Sequence, residues 1–458
     1  MRVCIVSEGS YPVTRGGLSE WAHMLIKSLS SVRFDVFCIV PYDEPQVSVY
    51  PKLPNIDRVV IKPILRSRPH FSPRELAPKI RRSLPGVIRQ MTDGKAMTLT
   101  SLTDSKQRCP ASKAWLASES YWDCVTGIYK DSHSEESLTD YFWSVFGFNS
   151  ILLDSLNFIN EMPRADIYHS LSTGFAGYAC AIAKLTRNKP MVTTEQGLYL
   201  VERRAELTQS DVSPLYRDLG FKFSESLVRT SYQYADRIVP PCYIPHTKIE
   251  KDLGADPIKI TVINNGIEVE RFTPGNRTGE KVVIGCFARV VPIKGITDLI
   301  KAAKIVTQRC DAEFVVLGEI QDKNYHQKCL DLIEELGISK SFKIMGHVSA
   351  EEWYRKVDIF TLSSISEGVP YALLEAMSSE LPSVCTAVGG VPEIMSDGVG
   401  FVVPPGEPEA LADKLCLLVE DKELRKKLGN HAINVAHQKY TLTEMAGKFL
   451  KLYEELAG

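Results

Sequence analysis

The chain has 458 residues, which is too long for one ordinary hydrophobic core and predicts two domains. Its hydrophobic content of 44% is typical of a globular protein. A formal net charge of -2, from 54 basic and 56 acidic residues, argues against nucleic acid as the main partner. Eleven scattered cysteines without a C-x-x-C pair favour reduced thiols. With no signal-peptide pattern and no apolar stretch judged long enough to span a bilayer, we expect a cytoplasmic protein.

Apolar strand-like runs alternate with helical periodicity along most of the chain, which is typical of doubly wound parallel sheets. The segment near 66–136 breaks this pattern with a mixed Ser/Pro/Lys composition, so we expect an irregular insertion there. In the first half we predict strands at Arg2 to Ser7 and Phe34 to Val40, a helix at Leu18 to Leu29, and strand ends at Asp166 to Ser170, Pro190 to Thr194, Arg237 to Val239 and Lys259 to Asn264.

A polar stretch rich in Pro and Gly at 273–280 predicts a linker between a first domain, 1–272, and a second domain, 281–458. Both domains are expected to be α/β and Rossmann-like. In the second domain we predict strands at Lys281 to Ala288, Phe314 to Leu317, Phe342 to Met345, Ile359 to Leu362, Ser383 to Thr386 and Gly400 to Val403, and a terminal amphipathic helix at Leu442 to Leu456.

The segment from Glu367 to Glu375, Glu-Gly-Val-Pro-Tyr-Ala-Leu-Leu-Glu, places two carboxylates around a turn from strand to helix. Pro370 suits the first turn of that helix, where a missing N–H is tolerated. Glu375 then falls about one turn into the helix, on the face of Tyr371. Both acids can approach a ligand at the helix N-terminus, whose free N–H groups and dipole suit a phosphate. The alternative is a capped helix with solvated acids.

Arg289 and Lys294 follow the first strand of the second domain, on a loop where open α/β sheets bind ligands. A guanidinium and an ammonium at this spacing can neutralise a diphosphate that leaves during transfer. The chain contains no Asp-x-Asp, so we expect these cations, and not a chelated metal, to hold the phosphates. The alternative is a solvated basic loop.

Gly16 and Gly17 lie on the loop between the first strand and the first helix, at the corresponding strand end of the other domain. Glycines let the backbone approach a ligand closely, although a plain turn would use them as well. We expect the two strand-end faces to oppose each other across a cleft.

Three polar residues of the first domain follow predicted strand ends. His169 ends one strand, where a core histidine is the simpler interpretation. Glu195 follows the next strand, and Arg203 comes shortly after it. Glu195 and Arg203 are candidates for the acceptor side of a site.

These motifs, taken in chain order, resemble glycosyltransferase family 4, whose members are retaining enzymes of the GT-B fold. The resemblance rests on Gly16-Gly17, Asp166-Ile-Tyr-His169, Asn264-Asn-Gly-Ile267, Arg289 with Lys294, and Glu367 with Glu375. The run Thr194-Glu-Gln-Gly-Leu-Tyr199, with Glu202-Arg-Arg204 after it, is similar to the subgroup that contains the Pel exopolysaccharide glucosyltransferase, which uses UDP-glucose.

The resemblance implies a role for each matching residue. It assigns the diphosphate to Arg289 and Lys294, the ribose hydroxyls to Glu375, the donor sugar to Glu367, a sugar hydroxyl to His169, and the leaving phosphate to the backbone of Gly17. Gly16, Gly368, Val369, Tyr371 and Leu373 are further expected donor-binding positions.

The implied activity is transfer of a hexose, glucose from UDP-glucose in the first instance, onto a glycan or polysaccharide acceptor without a metal or other cofactor. The implied setting is the cytoplasm or the inner membrane surface, beside a membrane-bound polysaccharide synthase complex. Two alternatives stay open, a nucleotide-sugar-binding subunit without activity and a nucleotide-sugar epimerase of the same fold. The presence of Arg289, Lys294 and Glu375 favours the transferase.

Overall fold

The computed structural model describes residues 1–42, 47–65, 78–100, 102, 115–243, 251–275, 279, 281–346 and 349–458. The chain forms two compact units, each with its own core. The first comprises Met1–Pro240, His246–Val262 and Lys448–Gly458, and the second Pro241–Pro245 and Ile263–Gly447. This division falls earlier than the expected linker at 273–280, which lies within the second unit.

The first unit contains one parallel sheet. Its strands are β1 (Arg2–Glu8), β2 (Arg33–Tyr42), β3 (Ile56–Leu65), β4 (Ile167–Ser170), β5 (Met191–Thr194) and β6 (Arg237–Val239). Their spatial order is β3-β2-β1-β4-β5-β6, and Val3 of β1 lies opposite both Phe34 and Ile167. The centre of β1 is buried, as expected for a parallel strand covered by helices on both faces.

Helices cover the first sheet and make up much of the described part of the predicted insertion. They are α1 (Gly17–Ser28), α2 (Pro78–Thr92), α3 (Glu119–Ser132), α4 (Leu138–Ser155), α5 (Phe175–Arg187), α6 (Tyr199–Gln209) and α7 (Pro214–Tyr234). Within the described part of 66–136, the expectation of irregular structure is wrong, because Tyr121, Val125 and Ile128 give α3 a buried apolar face. The remainder of that segment lies outside the described residues.

The segment from Lys259 to Asn264 is not a strand. A 3-10 turn at Pro257–Lys259 is followed by a single bridge between Ile238 and Ile260. The apolar run therefore adds one bridge beside β6 instead of a seventh strand of the sheet.

The segment Leu138–Asn160, which is α4 and the 3-10 turn after it, is long and apolar enough to cross a membrane by length and composition alone. Half of it is buried inside the protein, and Phe148 of α4 stacks on Phe223 of α7. The expectation that no apolar stretch reaches this length is therefore wrong, although the packing is that of a core helix.

The second unit contains the other parallel sheet. Its strands are β7 (Val282–Phe287), β8 (Ala312–Leu317), β9 (Phe342–Ile344), β10 (Ile359–Leu362), β11 (Ser383–Thr386) and β12 (Gly400–Val403), in the order β12-β11-β10-β7-β8-β9. Its helices are α8 (Ile296–Arg309), α9 (Lys323–Glu335), α10 (Ala350–Tyr354), α11 (Tyr371–Ser378), α12 (Val391–Met395), α13 (Pro408–Glu420) and α14 (Lys422–Lys439). A last helix, α15 (Leu442–Ala457), begins in this unit, and its residues from Lys448 onward belong to the first unit. Two parallel α/β sheets confirm the predicted fold class.

In each unit the strands run in parallel, so their carboxyl ends share one edge of the sheet. In the second unit, β7 leads to Arg289 and Lys294, and β10 leads to Glu367. In the first unit, His169 lies within β4, one residue before its end, and Glu195 follows β5. Each unit therefore gathers its candidate residues at one edge.

Candidate functional site

An ion pair lies at the centre of the second unit's candidate site. Nζ of Lys294 lies 2.7 Å from Oε1 and 2.8 Å from Oε2 of Glu367. The two side chains are only 15% and 10% exposed, so the pair is largely shielded from water. Lys294 ends a 3-10 turn after β7, and Glu367 lies on the loop after β10. Adjacent strands of the sheet thus bring together residues that are distant in sequence.

Two serines after β10 support this pair. The Ser364 hydroxyl donates to Oε1 of Glu367 over 2.6 Å, and the Ser363 hydroxyl donates to the carbonyl of Lys294 over 3.1 Å. Sequence reasoning missed both serines. Their position immediately after a predicted strand is the signal that could have identified them.

Arg289 lies on the same edge and is exposed. It donates a 2.8 Å hydrogen bond to the side-chain oxygen of Gln321, whose amide in turn donates to Glu319. Because Gln321 is neutral, this contact orients the guanidinium without neutralising it.

Two glycines let the loops of this site approach one another. Gly295 has φ 59° and Gly389 has φ 57°, in the left-handed region. A Cβ at Gly295 would overlap the carbonyl of Ser363, and one at Gly389 would overlap the carbonyl of Glu367. The N–H of Gly390 also donates to the carbonyl of Gly368 over 2.7 Å. The backbone around Glu367 is therefore fixed by close contacts that exclude a side chain.

Helix α11 begins at Tyr371, with Pro370 as its N-cap residue. No side chain of the described residues caps its first turn, and Gly368 and Val369 lead directly into it. Leu373 is fully buried, and Val369 is only 9% exposed. The side chains of these two predicted donor-binding residues are therefore packed into the protein, and the Leu373 N–H donates to the Pro370 carbonyl over 3.1 Å.

Glu375 lies one turn further along α11 and is partly exposed. Its Oε2 accepts a 2.9 Å hydrogen bond from the Tyr354 hydroxyl. Burial raises the pKa of Glu375 to about 7. Sequence reasoning missed Tyr354, because the contact joins residues on different elements.

In the first unit, Gly16 and Gly17 form the exposed N-terminus of α1. No atom of the described chain lies within 4 Å of a Cβ added at either position. The space beside both glycines is therefore open, at a helix end that favours negative charge.

His169 is a fully buried residue of the first unit. Its Nδ1 lies 2.6 Å from the Tyr453 hydroxyl, and its Nε2 lies 2.6 Å from the Thr194 hydroxyl. The ring also stacks on Phe449. Burial lowers the pKa of His169 to about 3. Both ring nitrogens are occupied, which is the arrangement of a core histidine.

The burial of His169 predicts a pH dependence of stability. The unfolded chain binds a proton below an ordinary histidine pKa of about 6.5, whereas the folded chain does not. His169 should therefore lower the free energy of unfolding by about 1.4 kcal/mol per pH unit as the pH falls below that value. His169→Gln should reduce this slope in urea unfolding between pH 7.5 and 5. An unchanged slope would contradict the buried, neutral state of the ring.

Glu195 is 2% exposed and is held by several donors of the first unit. Its carboxylate accepts hydrogen bonds from Thr173 over 3.1 Å, from the backbone N–H of Tyr199 over 3.2 Å, and from Tyr232. Burial nevertheless raises its pKa to about 7. This network ties β5 to α6 and α7.

Arg203, the other predicted acceptor-side residue, is on α6 and partly exposed. It forms an ion pair with Glu206 on the same helix. It is therefore more accessible to a ligand than Glu195.

Across the described ranges, no three His, Cys, Asp or Glu side chains are arranged to hold a metal ion. The cysteines that the structure describes are free, and most are buried.

Comparison with known families matches the two parts of the chain separately. Residues 1–258 match a domain of unknown function, DUF3492, and residues 268–435 match the glycosyl transferases group 1. The D-inositol 3-phosphate glycosyltransferase of Kribbella flavida is 27% identical over 299 residues, which cover 61% of this chain and 68% of that protein. The capsular polysaccharide biosynthesis glycosyltransferase CapM of Staphylococcus aureus is 28% identical over 218 residues, which cover 42% of this chain and 56% of that protein.

Among solved structures, HepE of Anabaena in complex with UDP and glucose matches 100% of both chains with a TM-score of 0.61. Its sequence identity is 15%, so this similarity establishes the fold, which is GT-B. The two family matches cover both sheets and the edge residues described above. The chain therefore belongs to the DUF3492 family, its residues 268–435 match the glycosyl transferases group 1, and its fold is GT-B.

Proposed function

We propose that this protein transfers a hexose, with glucose from UDP-glucose as the first candidate, onto a glycan or polysaccharide and retains the anomeric configuration. The observation that carries the proposal is the shielded Lys294–Glu367 ion pair, placed beside Arg289 and the N-terminus of α11. The UDP and glucose bound to HepE support the choice of donor, and the similarity to CapM supports a polysaccharide acceptor.

The donor diphosphate lies against Arg289 and Lys294 in this proposal. A diphosphate competes with Glu367 for the ammonium group of Lys294, which contacts both carboxylate oxygens. The carboxylate that is released accepts hydrogen bonds from hydroxyls of the donor sugar, while Ser364 still holds Oε1. Glu375 accepts from the ribose hydroxyls.

In the transfer step, the bond between the anomeric carbon and the diphosphate oxygen breaks. A bond forms from the acceptor oxygen to the same carbon on the same face. The acceptor proton passes to the departing phosphate oxygen, so no second carboxylate acts as a nucleophile. This arrangement differs from that of glycosidases, in which two carboxylates flank the bond. Arg289 and Lys294 stabilise the charge that develops on the leaving group.

We propose that these two cations and the dipole of α11 make a metal ion unnecessary. The partners of the protein in this proposal are a nucleotide-sugar donor and a glycan acceptor. A membrane-bound synthase complex at the inner membrane surface would supply the polysaccharide.

Release of UDP tests this proposal. The protein is incubated with UDP-, GDP- and ADP-linked hexoses, with and without EDTA, and the free nucleotide is measured. We expect release from UDP-glucose that persists in EDTA and increases when glycan acceptors are added. Binding of UDP-glucose without any release would favour a silent binding subunit, and an isomerised nucleotide sugar without release would favour an epimerase.

A further inference from the structure

The residue behind Glu375 is Tyr354, at the end of α10. Its ring is fully buried and lies flat against Phe287, with ring centroids 4.0 Å apart and planes 6° apart. Phe272 meets the same ring edge-on at 5.6 Å. Phe360 of β10 contacts it from a third direction, at 6.4 Å. The tyrosine is thus fixed by the core of the second unit, and its hydroxyl has a defined position.

The Tyr354 hydroxyl has one proton and two acceptors within reach. It lies 2.9 Å from Oε2 of Glu375 and 3.1 Å from the carbonyl of Ala372. The Ala372 carbonyl is inside α11, where the helix supplies its own N–H donor. A hydrogen bond to a carboxylate is the stronger of the two. The Tyr354 hydroxyl therefore donates to Glu375, and not to the Ala372 carbonyl, when Glu375 is ionised.

The Tyr354 bond constrains only one of the two carboxylate oxygens. In the described part of the chain, Oε1 of Glu375 accepts no hydrogen bond, and the residue is partly exposed. A carboxylate held at Oε2 by a rigid donor loses rotational freedom before any ligand arrives. Oε1 is then left for a hydroxyl donor.

We propose that Tyr354 is a positioning residue of the donor site, which holds the Glu375 carboxylate ionised and oriented so that it accepts the ribose hydroxyls of a nucleoside diphosphate. This inference rests on the proposed function, because it assigns the ligand of Glu375. Tyr354 lies on α10, outside the segment from Glu367 to Glu375, and does not itself touch the donor.

The charged groups around Glu375 predict how the affinity for UDP depends on pH. Burial raises the pKa of Glu375, whereas the Tyr354 hydroxyl and the Arg271 guanidinium lower it, and Glu351 raises it. Arg271 is itself paired with Glu351 and Glu268. Removing the Tyr354 hydroxyl removes one of the two groups that lower the pKa of Glu375, while burial still raises it. The pKa of Glu375 must therefore rise further.

Calorimetric titration of UDP into the full chain from pH 6 to 9 tests the proposal. In the wild-type protein, affinity should fall as the pH drops through the pKa of Glu375, since the ribose hydroxyls donate to its ionised form. In Tyr354→Phe, affinity at pH 7.5 should be about tenfold lower, as for loss of a hydrogen bond to a charged group. The midpoint of the profile should also move to higher pH, with affinity recovering towards pH 9.

Two further variants isolate the effect. Glu375→Gln should lose this titration and keep only the dependence that comes from the diphosphate's own ionisation. Tyr440→Phe deletes another buried tyrosine hydroxyl of the same unit and should keep the wild-type profile. If Tyr354→Phe does not fold, Phe287→Leu removes the stacking face but keeps the hydroxyl, and it should shift the profile in the same direction by less.

The outcomes separate the two proposals. If UDP binds and both Tyr354→Phe and Phe287→Leu keep the wild-type affinity and midpoint, the role of Tyr354 is overturned and the donor site is not. Loss of affinity with an unmoved midpoint would make Tyr354 a purely structural residue and would also overturn the inference. If UDP, GDP and ADP all fail to bind the wild-type protein, the proposed function fails, and the role of Tyr354 falls with it.

Discussion

Lys294→Ala is expected to lower release of UDP from UDP-glucose by about 10²- to 10³-fold, the usual cost of removing one charged donor from a site of developing charge. Lys294 is the shielded cation of the proposed donor site, with both oxygens of Glu367 on its ammonium group. In the proposed mechanism, its replacement removes the positive charge that faces the leaving diphosphate. The rate of nucleotide release at saturating donor is the measurement.

Lys301→Ala is the matched control for this variant. Lys301 is an exposed lysine on α8 of the same unit, and within the described ranges it pairs with Asp298 on its own helix. It should release UDP at the wild-type rate. Circular dichroism should show that both variants are folded. A folded Lys294→Ala protein with a nearly normal rate would remove Lys294 from the chemistry.

Gly389→Ala is expected to damage both stability and transfer. A left-handed φ costs an alanine about 1–2 kcal/mol. The added Cβ would also overlap the carbonyls of Glu367 and Gly368, and crowding of this kind costs about 1–3 kcal/mol more. Because the backbone of Glu367 must move to relieve the overlap, UDP release should fall together with the free energy of unfolding.

Gly406→Ala separates backbone strain from crowding. Gly406 also has a positive φ, 76°, but no described atom lies within 4 Å of an added Cβ. It should lose only about 1–2 kcal/mol of stability in urea unfolding and keep its activity. If the two glycine variants behaved alike in both measurements, the close packing around Glu367 would have no functional consequence.

Most strands were predictable because they are buried on both faces and read as continuous apolar runs. Strand β3 was not predicted, and most of its described side chains are exposed or half-buried. β10 and β11 were predicted to the residue, and β1 to within one. Helix α3 was not predicted. Its buried positions are three and four residues apart, but the segment around them is polar, so its overall composition does not indicate a helix.

The site residues also differ in how far the sequence predicts them. Some are indicated by their spacing along the chain, and others only by contacts in the folded protein. Glu367 and Glu375 stand out because one turn and one helix fix their spacing, and Lys294 because it follows a strand. Ser364 also follows a strand and lies three residues before Glu367, so its position could have identified it. Tyr354 carries no such mark, because its role comes from a contact between elements, which spacing along the chain cannot encode.

His169 illustrates the limit of strand-end reasoning. The end of a parallel strand points to a ligand edge, yet the side chain there can still turn into the core. The hydroxyls of Tyr453 and Thr194 take both of its nitrogens, and Tyr453 comes from the far end of the chain.

A crystal structure of the protein soaked with UDP, in the presence of EDTA, is the most direct measurement of the donor site. The diphosphate should lie within hydrogen-bond distance of Arg289 and Lys294, with the ribose hydroxyls on Glu375 and no metal between the phosphates and the protein. UDP bound elsewhere, or bound here with Lys294 still on Glu367 and no contact to the phosphates, would contradict the proposed donor site.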